Sequence, residues 1–237
     1  SIHRVECLFL IKVQLNQITS GGTFKLKLPL EYPSMEIASE KALCGITLKG
    51  SCEIVTEFFD YAINSIMYQR GIYPAESFTK VKKYGLPLIM VTDKEVKDFL
   101  STYLSKVQEM LSSKKVSKLV LVVISLDGDP VERWEFNIVK DDILYGDESE
   151  KKKKDIKEIQ GEIREVLRQI IATVAILPLL DCPCKIDILM YTSPDVETPD
   201  DWSESQPFHI VNGQVLPLKS FGTSVHKVET QVTYKYD

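Results

Sequence analysis

The 237-residue chain is 44% hydrophobic and 27% charged, with 29 Lys and Arg against 34 Asp and Glu and a formal net charge of −5. This is an ordinary globular balance that supports a real core. It lacks the basic excess that marks nucleic-acid and membrane-surface binders, so neither partner is expected.

The five cysteines (Cys7, Cys44, Cys52, Cys182 and Cys184) are an odd set, as expected of reduced intracellular thiols. Cys182-Pro183-Cys184 is one residue short of Cys-x-x-Cys, and no second cluster completes a metal site. Residues 1–44 read as an N-terminal extension, weakly structured and able to add an occasional strand. Ser20-Gly21-Gly22, Pro29 and Pro33 punctuate local β-like alternation there without a sustained helical period. Its apolar run Val5–Leu15, broken by Glu6, Lys12 and Gln14, is too short and too polar to span a bilayer, and no clear small-residue cleavage site marks a signal peptide.

A folded domain opens at Gly45 and continues to Asp237. Ile54/Val55, Phe58/Phe59, Ala62/Ile63 and Ile66/Met67 recur four residues apart, a broad apolar stripe on a central helix. Ser51 is the expected N-cap, and Gly71 follows the last turn. Thr92-Asp93-Lys94-Glu95 has the form of a capping box ahead of a second helix, whose stripe runs from Val96 to Leu111. Lys118–Ser125 and Val131–Val139 are strand-like runs on either side of the Asp127-Gly128 hairpin cue. Leu119–Ile124 is apolar throughout, as expected of a strand covered on both faces.

The charged stretch from Asp141 to Asp155, with four lysines at 151–154, reads as a solvated loop entering a third helix. That helix carries Ile156, Ile159, Ile163, Val166, Leu167, Ile170, Ile171 and Val174, and Pro178 stops it. Lys185–Thr192 is a further strand. The 24 residues from Ser193 to Leu216 are rich in Pro, Asp, Ser and Glu, and a last strand alternates Val228, Thr230, Val232, Tyr234 and Tyr236. Three helices on a mainly antiparallel sheet make an α+β layer fold.

No phosphate-binding glycine loop or nucleophile elbow is present. His3, His209 and His226 lack partners at metal-ligand spacing, so a hydrogen-bonded or half-buried role suits His226. No cofactor and no catalytic group is expected. Binding is the favoured class: a sheet edge such as Lys185–Thr192 can take an extended peptide as an added strand, and the long segment after it can close over the ligand.

Six blocks carry a more specific signal: Gly45–Ser51, Asn64–Pro74, Glu132–Phe136, Arg168–Val174, Leu177–Leu180 and His226–Val228. In this order, from Gly45 to Asp237, they resemble the spindle-checkpoint branch of the HORMA-domain family. The resemblance implies a HORMA fold with open and closed topologies and a mobile C-terminal safety belt, here 192–237. It implies that Ile186, Asp187, Ile188, Leu189, Met190 and Tyr191 form the peptide-binding edge. Trp202, His226, Val228, Val232 and Tyr234 would belong to the belt, Arg168 and Gln169 to a dimerisation face, and Leu48 to the topology switch.

The implied partners are the anaphase-promoting complex activator, a kinetochore coiled-coil checkpoint receptor, a second copy of the chain in an open–closed dimer, a comet-type HORMA adaptor and an AAA+ remodelling ATPase. Nucleus, kinetochore, cytoplasm and spindle are the implied locations. The alternative is a polymerase-adaptor-type HORMA protein of DNA-damage tolerance. Met110 and Ile176 depart from the residues common in the family. Thr23–Leu28, followed by Pro29 and Pro33, loosely resembles the peptides such belts capture, but short alternating segments are common by chance, so a self-ligand there is the disfavoured reading.

Overall fold

The computed structural model describes residues 7–10, 46–140, 154–193 and 203–236. The first helix, α1 (Leu48–Gln69), begins at Thr47, whose hydroxyl oxygen accepts the Gly50 N–H at 3.1 Å. Thr47 is thus the cap, and Ser51, the expected one, lies inside the first turn and is buried. The paired apolar pattern buries α1 along its length, including Val55, Phe58, Phe59, Ile63 and Met67. The helix ends where Gly71 takes φ +63 and Ile72 N–H reaches back to Met67 O at 3.0 Å, the left-handed stop that glycine adopts without steric cost.

A hairpin the sequence reading did not include follows: β2 (Phe78–Lys83) and β3 (Leu86–Val91), a separate two-stranded sheet. Tyr84 and Gly85 both have positive φ, at 50 and 73, the geometry of a tight two-residue connection. Its far end is held to α1 by Asn64, whose side-chain oxygen accepts the Val91 N–H at 2.8 Å. The second helix, α2 (Lys94–Ser112), is capped by Asp93, accepting from Val96 N–H at 3.1 Å. The cap therefore lies one residue later than the expected Thr92, because the Asp93 carboxylate is the group that reaches the orphan donor.

β4 (Val116–Ser125) and β5 (Pro130–Lys140) form the expected hairpin, with Gly128 at φ +97 in the turn. The third helix, α3 (Ile156–Thr173), leads through Pro178 to β6 (Cys184–Thr192). Three strands follow: β7 (Ser203–Glu204), β8 (Gln214–Gly222) and β9 (His226–Tyr234). The remaining strand, β1 (Cys7–Leu10), comes from the N-terminal extension. The large sheet has the order β7-β1-β6-β4-β5-β9-β8, and all its neighbours are antiparallel. Thr23–Leu28 lies outside the described residues.

One face of this sheet meets the helices. Leu119, Leu121, Val123, Trp134, Phe136, Ile188 and Met190 join α1, α2 and α3 in the main core. The alternate residues Val120, Val122, Ile124, Leu189 and Tyr191 form a second cluster on the opposite face. That accounts for the unbroken apolar run of β4. Among the described residues Cys52, Cys182 and Cys184 are free thiols, no group of three or more His, Cys, Asp or Glu is placed to hold a metal ion, and no helix is long and apolar enough to cross a membrane.

The end of α1 is pinned to the sheet by a buried ion pair. Arg70 Nη2 lies 2.5 Å from Glu132 Oε1, with the two side chains 4% and 2% exposed. The same nitrogen donates to Pro178 O at 2.6 Å, and Trp134 Nε1–H donates to the other Glu132 oxygen at 3.1 Å. Burial pushes the Glu132 carboxyl above its ordinary value, and the Arg70 charge pulls against that rise. Arg70→Met leaves the carboxylate buried without its counter-charge, so a loss of about 3–5 kcal/mol is expected. Chemical denaturation of the two chains checks this; unchanged midpoints would show that Arg70 is dispensable.

Candidate functional site

β6 borders β4 along its length and, on its other side, β1. Cys7, Leu8, Phe9 and Leu10 stand opposite Thr192, Tyr191, Met190 and Leu189. Of the predicted edge residues, Ile186, Ile188 and Met190 face the main core, while Leu189 and Tyr191 face the second cluster. Asp187 alternates with the core-facing residues and pairs in register with Val122. The strand expected at Lys185–Thr192 is therefore present, but it is interior to the sheet, with β4 on one side and β1 against its C-terminal half on the other.

The chain leaves this edge after Thr192 and rejoins the sheet beyond its opposite edge. Between those points, Glu204 and Ser203 pair with Phe9 and Leu10. Pro207 O then accepts a hydrogen bond from Arg133 Nε at 3.2 Å, and Phe208 packs on the second cluster. Phe208 holds φ +47, a conformation that costs a non-glycine residue on the order of 1 kcal/mol and persists where neighbours impose it. The expected Trp202 lies outside the described residues.

Arg133 is the polar centre of this crossing. It donates to the Tyr191 hydroxyl at 2.6 Å and is hydrogen-bonded to Glu135, which also receives Lys118 Nζ at 3.0 Å. Burial works against the Glu135 anion, but Arg133 and Lys118 together hold its carboxyl below the ordinary value. Alternation along β5 explains the split: Trp134, Phe136 and Ile138 enter the main core, leaving Arg133 and Glu135 for the crossed face.

After the crossing, Asn212 takes φ +58 and Gly213 starts the approach to β8. A Cβ at Gly213 would stand 2.7 Å from Thr233 Cγ2 and 3.0 Å from Ile210 Cγ2, so this close passage requires glycine. β8 and β9 add to the β5 edge, with Val232 opposite Trp134 and Val228 opposite Ile138. Val228 and Val232 are fully buried, whereas Tyr234 is only partly buried and donates from its hydroxyl to Gln214 Oε1 at 3.0 Å. Phe221 enters the core edge-on to Phe58, with ring centroids 4.7 Å apart.

The β8–β9 turn is tied to the start of α1. Ser51 Oγ lies 2.6 Å from Thr223 Oγ1 and 2.8 Å from His226 Nδ1. His226 is 2% exposed, and its backbone N–H also donates to Thr223 Oγ1 at 3.0 Å. The half-buried or hydrogen-bonded role expected of His226 is thus met inside the core. Leu48, expected ahead of the first helix, is instead its first residue and packs partly buried against the core.

The polar face of α3 forms the other attachment. Gln169 Oε1 accepts from Lys219 N–H at 2.6 Å, Glu162 Oε2 from Gly222 N–H at 3.0 Å, and Lys219 Nζ lies 3.3 Å from Glu165. Arg168 is adjacent but 57% exposed, and it pairs with Glu165 at 3.0 Å. The two predicted dimerisation residues are therefore placed differently: Arg168 faces solvent and Gln169 binds β8. Phe208, Phe221 and Thr223 escaped the sequence reading. Arg133 lay within the Glu132–Phe136 block without a role at the crossing, and its signal is the alternation of Arg133 and Glu135 with Trp134 and Phe136 along the strand.

The HORMA domain family model matches residues 51–226. The chain is 48% identical over 192 residues to the human mitotic spindle assembly checkpoint protein MAD2A, covering 81% of this chain and 93% of that one. It is 42% identical over 202 residues to the Saccharomyces cerevisiae mitotic spindle checkpoint component MAD2, covering 81% and 98%. A chain in the crystal structure of the mitotic checkpoint complex superposes with a TM-score of 0.73 at 41% identity, covering 79% of this chain and 99% of that one. These similarities favour the checkpoint type over the polymerase-adaptor alternative.

Ser51→Val removes the hydroxyl shared by Thr223 and His226 in a buried site, so a loss of about 1–3 kcal/mol is expected. Amide exchange from Gly222 to Val228 is expected to quicken more than exchange in α2. Equal changes in both regions would show that Ser51 does not specifically hold the turn.

Proposed function

The chain belongs to the HORMA domain family, and from that premise we propose that it serves the mitotic spindle checkpoint by capturing an extended peptide of a protein partner between β6 and its C-terminal segment. The observation that carries this reading is the path of that segment, which departs from one edge of the sheet, crosses one face and is anchored at the other edge. A strand lying beside β6 is enclosed by this path. Main-chain pairing supplies affinity, and the enclosing segment delays escape, so tight binding does not need a large interface.

In this reading 192–237 is the safety belt, and the arrangement is the closed member of two topologies. Trp202 belongs to its crossing part, and His226, Val228, Val232 and Tyr234 seat its far end. Conversion from an open form requires the Ser51–Thr223–His226 contacts and the Phe221 packing to form, so those contacts bias the equilibrium between two packings of one sequence. Leu48 moves with the start of α1 in that conversion.

The partners we assign are the anaphase-promoting complex activator and a kinetochore coiled-coil receptor, acting at the kinetochore and spindle and in the nucleus and cytoplasm. Sequestering the activator inhibits anaphase onset. A comet-type HORMA adaptor and an AAA+ ATPase would reopen the closed form. The protein acts by binding and not by catalysis.

Peptides from the receptor and the activator are expected to bind the full chain in preference to polymerase-derived peptides and to leave over minutes or longer. Phe208→Ala, which loosens the crossing, is expected to shorten that residence about tenfold, a barrier change of about 1.4 kcal/mol. Stopped-flow anisotropy checks both values, and sub-second release from the unsubstituted chain would overturn the enclosure. Arg168→Glu is expected to reduce self-association in sedimentation runs while leaving peptide capture intact. An unchanged sedimentation profile would remove Arg168 from the dimer face.

A further inference from the structure

The strand beside β6 belongs to this chain. Cys7–Leu10 has backbone partners on both sides: Leu189–Thr192 of β6 on one, and Ser203 and Glu204 of the crossing segment on the other. The main core is assembled, among the described residues, from Ile46 onward. Cys7-Leu8-Phe9-Leu10 has no glycine, proline or charge, the residues that ordinarily discourage strand pairing at a sheet edge.

We propose that Cys7–Leu10 is an internal ligand, occupying in cis the edge where a partner peptide is captured and leaving before that peptide is taken up. The proposal rests on the reading of the β6 edge as the capture edge. Its distinguishing geometry is enclosure: β1 lies between β6 and the segment that crosses the sheet, the position assigned above to the captured strand.

Among the described residues β1 pairs with Leu189–Thr192 of β6, which itself runs from Cys184 to Thr192 and pairs with β4 over that length. A partner strand of ordinary length, about five or six residues, also reaches toward Ile186 and Ile188. The internal segment has the advantage of being tethered, since covalent attachment makes its pairing intramolecular, with an effective concentration set by the length of the connection. If it fills the edge in nine molecules of ten, the apparent affinity for any competing peptide falls about tenfold. The same tether makes the segment a selector: weak peptides are refused, and those that pair along more of β6 are accepted.

Two substitutions in the full chain test this. Thr192 stands opposite Cys7, and facing residues of an antiparallel pair are close enough for a disulfide. Thr192→Cys, oxidised with glutathione disulfide, is expected to give a monomer in which Cys7 is linked to the thiol introduced at position 192, identified by mass spectrometry. A linkage found only in dimers, or none at all, overturns the cis assignment.

The double substitution Leu8→Pro and Phe9→Pro removes adjacent amide donors, which point to opposite sides of a strand. The variant is expected to capture a fluorescein-labelled peptide of residues 3–14 at least about tenfold more tightly than the unsubstituted chain. Equal affinities overturn the proposal. A kinetochore-receptor peptide separates it from the functional reading. If both chains capture the receptor peptide equally and neither binds the 3–14 peptide, the internal ligand is overturned and the checkpoint reading stands. If the proline variant binds the 3–14 peptide but not the receptor peptide, the internal ligand stands and the partner assignment is overturned.

Discussion

A chain that leaves one edge of a sheet and rejoins it at the other has to cross a face, and the rest of this structure is arranged around that crossing. The crossed face needs apolar surface for Phe208 and a fixed donor for the Pro207 carbonyl, which the alternate residues of β4, β5 and β6 supply. Arg133 couples the crossing to the proposed capture edge directly, because it also binds the Tyr191 hydroxyl on β6. A guanidinium suits this position, with several fixed donors in one plane serving a carbonyl, a phenol and the Glu135 carboxylate together.

The opposite face is built for permanence. Helix α1 is buried along its length, Phe58 touches Phe136 and Phe221, and Arg70 binds Glu132 beneath Trp134. Removing one partner of such a buried set leaves an unmatched polar group, so the contacts favour one packing over near alternatives more than they add net stability. The Ser51, Thr223 and His226 trio is of the same kind, but it joins α1 to the C-terminal hairpin. It ties the β8–β9 turn to the first turn of that helix through buried polar contacts.

The helices and central strands were legible because each carries a single dominant period. The paired apolar residues of α1 and the alternation of β5 leave little freedom in which face is buried. Two caps shifted: Thr47 replaces Ser51 because the helix starts one turn earlier than its apolar pairs indicate, and Asp93 replaces its neighbour Thr92 because its carboxylate reaches the orphan amide. The β2–β3 hairpin was not visible: its Lys-rich strand is largely exposed, and its turn uses Tyr84-Gly85 in place of Asn-Gly or Asp-Gly. At the site, Ile186–Tyr191 was legible as a strand, but its neighbours were not. Pairing between β6 and β1 joins segments far apart in the chain, and local periodicity says nothing about which strands meet.

The order of strands also bears on how the molecule folds. β9 is an interior strand, inserted between β5 and β8, so Trp134 gains its neighbour Val232 from a segment far along the chain. The β4–β5 hairpin closes through a short turn and forms early, whereas the β5–β9 ladder bears the loop-closure entropy of a long excursion and forms late. Until then the outer border of β5 offers unpaired amides and carbonyls. An assembling molecule therefore passes through a stage open to mispairing with its own copies, which the arrival of β9 brings to an end.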